Sequence, residues 1–170
     1  MAGGPGSYVL GAEERKEVLD VLDGGNLFRY GTPGVDGFQA KVVTFENEMA
    51  ERLGHKHVVA TSSGTGSLMC CLAALGIGMG DEVIVPEPFY PNYHTFITTA
   101  GGVIHPLHTR PEEGYFYADR ARIEACITPK TKAIMITNPG NPTGTCLTIE
   151  QMKMLLDVAV AVSYTHLTLP

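Results

Sequence analysis

From residue 57 onward the chain alternates short apolar, β-branched runs with stretches of helical period, and that alternation limits the fold more than any other feature of the sequence. Runs fall at residues 57–61, 82–85, 103–107 and 133–137, and helical patterns at 65–75, 93–100, 119–126 and 148–161. Each link between runs is long enough for a helix, which a parallel strand pair requires and a hairpin does not. The expectation is an α/β fold, a mostly parallel sheet flanked by helices. Thr148, with Gln151 three residues on, reads as a capping box that starts the last helix. Upstream, Val18, Leu19 and Leu22 share a helical face that stops at Gly24-Gly25, and Phe38, Val42, Phe45, Met49 and Leu53 recur at helical spacing. The apolar stripe of that second helix needs something to cover it. The expected division is a helical and irregular segment at 1–56, an α/β domain at 57–161, and a tail at 162–170 whose Ser-Tyr-Thr-His-Leu-Thr-Leu-Pro stretch has β propensity but no turn before it.

Composition narrows the partners. A net charge of −6 with twelve scattered Lys and Arg residues disfavours a nucleic-acid or anionic membrane surface. No apolar run approaches the ~20 residues a bilayer span needs, and the first residues lack the features of a signal peptide, so the expected setting is the cytoplasm. The four cysteines show no C-x-x-C spacing and are read as reduced thiols. His55 and His57 have no converging third ligand, so no metal is expected. A small-molecule partner is favoured.

Three turns, each following an apolar run, carry groups suited to one kind of ligand. Ser63, Gly64 and Thr65 lie where a helix begins, so backbone N–H groups and two hydroxyls converge where an anion binds; an N-capping serine beside a glycine explains the same residues. In Pro86-Glu87-Pro88-Phe89-Tyr90-Pro91 the prolines stiffen a turn from which Tyr90 can lie against a flat heteroaromatic ring, or simply pack in a core. In Asn138-Pro139-Gly140-Asn141-Pro142-Thr143-Gly144 the Asn141 amide can donate to a phenolic oxygen, or the run can be a plain Asn-Pro turn. All three at the carboxyl edge of one sheet would form a ligand site.

These motifs resemble fold type I, pyridoxal 5′-phosphate-dependent aminotransferases, in two parts. Residues 5–86, with TSSGTGSL and GDEVIVP, look like the start of DegT-type sugar aminotransferases. Residues 80–161, with PEPFYPNY and NPGNPTG, look like class I aminotransferases that act on amino acids. The resemblance implies that Ser63, Gly64 and Thr65 hold the cofactor phosphate, Tyr90 stacks on its ring and Asn141 donates to its O3′. It also implies amino transfer between an amino donor and a keto-acid or keto-sugar acceptor, in a homodimer. In these families the Schiff-base lysine lies well beyond the asparagine loop, and none of Lys16, Lys41, Lys56, Lys130, Lys132 and Lys153 has its small-residue context. The expectation is therefore a truncated chain without a catalytic residue of its own, joined from two relatives at GDEVIVP and ending in a non-native tail. The alternatives are a non-catalytic α/β module for a phosphorylated ligand and an assembly product without function.

Overall fold

A strand with three consecutive aliphatic residues needs cover on both faces, and Val83, Ile84 and Val85 have it, at 0, 0 and 1% exposure. The computed structural model describes residues 5–161 and 167–169. In chain order the elements are α1 (Ala12–Gly24), α2 (Lys41–Leu53), α3 (Gly64–Ala74), β1 (Glu82–Pro86), α4 (Asn92–Thr99), β2 (Val103–Leu107), α5 (Arg120–Cys126), β3 (Thr131–Thr137), α6 (Ile149–Ala161) and β4 (Leu167–Leu169). They fall into two units, Met1–Thr61 and Ser62–Pro170.

In the second unit the strands lie in the order β2-β1-β3-β4, with every pairing parallel. Ile84 is level with His105 on one side and Ile134 on the other. Because successive side chains alternate faces, this register sends Ile84, Ile134 and Ile136 to one face and Val83, Val85, Ala133 and Met135 to the other. The first face packs on Ile123 of α5 and on Leu155 and Val158 of α6. The second packs on Leu72 of α3 and on Phe96 and Ile97 of α4. This is the α/β architecture expected from the alternation.

Helix starts follow local chemistry. Asp119 Oδ1 accepts from Arg122 N at 2.9 Å ahead of α5. The capping box at α6 forms in both directions: Thr148 N donates to Gln151 Oε1 at 2.8 Å and Gln151 N to Thr148 Oγ1 at 3.2 Å. β3 begins two residues before the expected run, because the buried Thr131 has a use for its hydroxyl: Thr131 Oγ1 accepts from Thr128 N at 2.9 Å.

Three expectations need correction. Residues 57–61 form no strand. Instead, Ala60 N donates to Glu46 Oε1 at 2.6 Å and Ala60 O accepts from Arg29 Nη1 at 2.6 Å, while Arg29 Nη2 also donates to Glu46 Oε1. Side chains thus satisfy the backbone groups that a neighbouring strand would otherwise pair. The second helix begins at Lys41 rather than at Phe38, because Gly37 and Ala40 have φ of 74° and 54°. Its apolar stripe is uncovered, with Phe45 and Leu53 about half exposed; Phe38 is the buried apolar residue among those described in this unit. Finally, Leu167–Leu169, in the tail whose β propensity comes with no turn before it, nonetheless pairs in parallel with β3. Residues 162–166 and 170 lie outside those described.

Replacing Ile84 by Ala is expected to lower unfolding free energy by ~2–5 kcal/mol, the range for a fully buried aliphatic, in a denaturant titration with unchanged slope. Glu82 Oε2 accepts from Thr128 Oγ1 at 2.6 Å and lies 3.2 Å from His105 Nδ1, and these contacts, helped by Lys130, hold its carboxyl below the ordinary value. A depressed carboxyl contributes stability above its unfolded pKa and loses it as pH falls through the folded one. Glu82→Gln should therefore melt earlier than the parent at pH 7, with the gap closing as pH drops below the glutamate range; a gap unchanged from pH 7 to pH 3 would sink this account.

Candidate functional site

The chain leaves β1 toward β2 on one side and leaves β3 toward β4 on the other, so the two adjacent strands diverge at their carboxyl ends. Open parallel sheets hold ligands in the crevice at such a point. A cavity of about 20 Å³ lies there. Three loops line it: Phe89 and Tyr93 come from the β1–α4 side, Tyr115 and Tyr117 from the β2–α5 loop, and Asn141 and Thr143 from the β3–α6 loop.

The β3–α6 loop closes on itself. Asn138 Oδ1 accepts from Leu147 N at 2.9 Å, Gly140 N donates to Thr145 O at 2.8 Å, and Gly144 N donates to Gly140 O at 2.7 Å. Asn141 stands at its tip, exposed, with no hydrogen-bond partner for its amide among the described residues. The peptide bonds before Pro88, Pro139 and Pro142 are cis.

The β1–α4 turn is pinned to the end of β2. Glu87 N donates to Leu107 O at 3.0 Å, Thr109 Oγ1 donates to Glu87 O, and Glu87 Oε2 lies 2.6 Å from His108 Nδ1. Phe89 stacks near-parallel on Tyr93, with centroids 6.5 Å apart, and Tyr90 meets Tyr93 edge-on at 5.7 Å. The Tyr90 hydroxyl accepts from Asn92 Nδ2 at 2.7 Å, and the ring is 37% exposed. Tyr93 shares a hydrogen bond with Thr137 at the end of β3. Burial pushes the Tyr117 phenol up to about 12, so it stays neutral across the physiological range.

At the start of α3, Ser63 Oγ accepts from Gly66 N at 3.0 Å, the geometry of a capping serine. The amides of Gly66 and Ser67 are engaged by Ser63, those of Gly64 and Thr65 have no hydrogen-bond partner among the described residues, and a Cβ built at Gly64 would meet no atom within 4 Å, so the first turn is open to an approaching anion. The structure thus places Asn141 in the cavity and Tyr90 against its wall, while Ser63, Gly64 and Thr65 do not line it. Sequence reasoning overlooked Asn138, which locks the loop, and Tyr115, although the Tyr-Phe-Tyr run after Gly114 was an available signal.

A larger cavity of about 300 Å³ lies between β3 and α6. Its walls are mostly aliphatic, the Asn138 oxygen there is already engaged by Leu147, and Lys153 is its charged group, so it lacks the converging polar groups of a specific ligand site. Among the described residues no group of three or more His, Cys, Asp or Glu could hold a metal, and no helix is long and apolar enough to cross a membrane.

The sequence profile of the DegT/DnrJ/EryC1/StrS aminotransferase family matches residues 9–159. Similar curated proteins include GDP-perosamine synthase of Caulobacter vibrioides, 37% identical over 126 residues, covering 74% of this chain and 31% of that protein. Another is aspartate/prephenate aminotransferase of Thermus thermophilus, 34% identical over 122 residues, covering 72% of this chain and 31% of that protein. Among solved structures, a mutant aspartate aminotransferase of Thermus thermophilus superposes with a TM-score of 0.59 at 35% identity, covering 64% of this chain and 29% of the other. Alanine aminotransferase from Pyrococcus furiosus superposes with a TM-score of 0.64 at 26% identity, covering 92% of this chain and 40% of the other. The chain matches about a third of the length of these curated relatives.

Removing the Asn138 side chain should open the asparagine loop without disturbing the sheet. Asn138→Ala is expected to cost ~1 kcal/mol, the net value of one hydrogen bond, and to raise hydrogen exchange at the Leu147 amide while β1 amides stay protected.

Proposed function

Because the chain belongs to the DegT/DnrJ/EryC1/StrS aminotransferase family, whose profile covers residues 9–159, we propose that it is part of a pyridoxal 5′-phosphate-dependent aminotransferase and supplies one side of the cofactor site. The observation that carries this reading is the uncommitted Asn141 amide at the β1/β3 divergence, in a cavity walled by the aromatic turn. The donor set fits the group. The first-turn amides at Gly64 and Thr65, with the Ser63 and Thr65 hydroxyls, suit a phosphate dianion at a helix N-terminus. Tyr90, partly exposed and braced by Asn92 and Tyr93, offers a ring face. Asn141 Nδ2 donates to the phenolic oxygen.

When bound, the cofactor supplies an electron sink for the carbon that gains or loses the amino group. The residues of this chain bind and orient it. Asn141 stabilises negative charge on the ring oxygen, Tyr90 excludes water from one ring face, and the α3 N-terminus anchors the phosphate. No lysine lines the cavity, and we assign this chain cofactor-holding residues and no catalytic one. The reaction of the whole enzyme is amino transfer from a small-molecule amino donor to a keto-acid or keto-sugar acceptor, the two acceptor classes reflecting its two groups of relatives. A homodimer in the cytoplasm is the assembly and setting this reading carries.

The test is a titration of the chain with 4′-deoxypyridoxine 5′-phosphate, which has the ring and phosphate without the aldehyde and so does not condense with surface lysines. Saturable quenching of tyrosine fluorescence is expected, weakened roughly fivefold to tenfold in Asn141→Ala, the scale of one hydrogen bond. Inorganic phosphate binding as tightly as the full probe, with Asn141→Ala unchanged, would replace this reading with a non-catalytic phosphate-ligand module.

A further inference from the structure

The β2–α5 loop holds a bulky residue in a backbone conformation it would not choose. Tyr115 has a φ of 57°, in the left-handed region that aromatic side chains rarely occupy. Among the described residues the other non-glycine positions there are Asp36 and Ala40, both small. The conformation is held from both sides. Tyr115 N donates to Arg110 O at 3.0 Å. Just beyond, Arg122 clasps the loop, its Nη1 reaching Glu113 Oε2 at 2.8 Å and Phe116 O at 3.2 Å and its Nη2 reaching His108 O at 3.1 Å. Thr145 Oγ1, from the asparagine loop, donates to Gly114 O at 3.4 Å.

This backbone places Tyr115 in the wall of the cavity that holds Asn141 and Thr143. The neighbouring rings are committed: the Tyr93 hydroxyl is bonded to Thr137, and Tyr117 is 5% exposed. Tyr115 is only half-buried, and its hydroxyl has no partner among the described residues. At about 20 Å³ the cavity has room for little more than one water, so an entering ring must displace part of its wall, and the Tyr115 side chain, unlike its backbone, has no hydrogen bond among the described residues to hold it back. Strain that several contacts over-determine is found where a side chain must be presented to a ligand.

We infer that Tyr115 is a ligand-contacting residue of this site, meeting the bound heteroaromatic ring from the β2–α5 loop alongside Asn141. The inference rests on the cofactor reading proposed above and adds to it a residue that none of the three motifs contains.

The probe is again 4′-deoxypyridoxine 5′-phosphate, applied to the chain and to Tyr115→Asn, since asparagine tolerates the left-handed backbone. The expected result is a thermal midpoint within a few degrees of the parent and a dissociation constant raised about tenfold. If the parent binds and Tyr115→Asn binds equally well, the inference is overturned and the cofactor reading stands; if the parent does not bind, both fall. Should Tyr115→Asn fail to fold, the unaltered chain decides: its tyrosine ring resonances, assigned by comparison with Tyr115→Phe, are recorded with and without the probe. A Tyr115 ring signal that shifts on saturation supports the contact, and one that stays in place while other tyrosine signals move overturns it.

Discussion

Parallel pairing on both sides of β1 is the constraint on which the described α/β unit depends. With its N–H and C=O groups engaged by β2 and β3, the strand has no solvent-facing side, and Val83, Ile84 and Val85 must be covered by helices above and below. Each fully buried aliphatic contributes ~1.5–3 kcal/mol, so the two clusters on the opposite faces hold the unit together. Parallel neighbours also need crossover connections, which return every strand in the same direction and collect the loops that follow them at one edge. The position of the cavity follows from that geometry rather than from any residue that lines it.

Elements defined by their own periodicity were legible in the sequence, and features that needed a distant partner were not. The runs at β1, β2 and β3 and the helices between them were readable because a buried strand and an amphipathic helix differ in period over a few residues. The run at 57–61 has the same apolar character, yet periodicity cannot say whether a neighbour is there to pair with it, and Arg29 and Glu46 take that place at Ala60. The asparagine loop shows the same limit at closer range. Asn138 and Asn141 both precede proline and look alike in sequence, but the position of the Leu147 amide makes one a structural lock and leaves the other exposed. Tyr115 was harder still, since its backbone conformation is held partly by Thr145, thirty residues further along.

The candidate site divides its work among elements of different rigidity. The aromatic turn follows β1 and is bonded to the ends of β2 and β3 through Glu87 and Tyr93, while Asn141 stands at the tip of the β3–α6 loop. The α3 N-terminus is tied to its own first turn through Ser63 and Gly66, and its open side faces no Cβ-sized obstacle at Gly64.

The clamp at Ala60 also bears on association between chains. A β-prone stretch such as residues 57–61 ordinarily offers its backbone to any passing strand. Here the N–H and C=O of Ala60 are already held by a carboxylate and a guanidinium, so an incoming strand would have to break a charge-assisted pair before gaining its first hydrogen bond at that residue. The same two side chains therefore stand, at Ala60, in the place a strand partner would take.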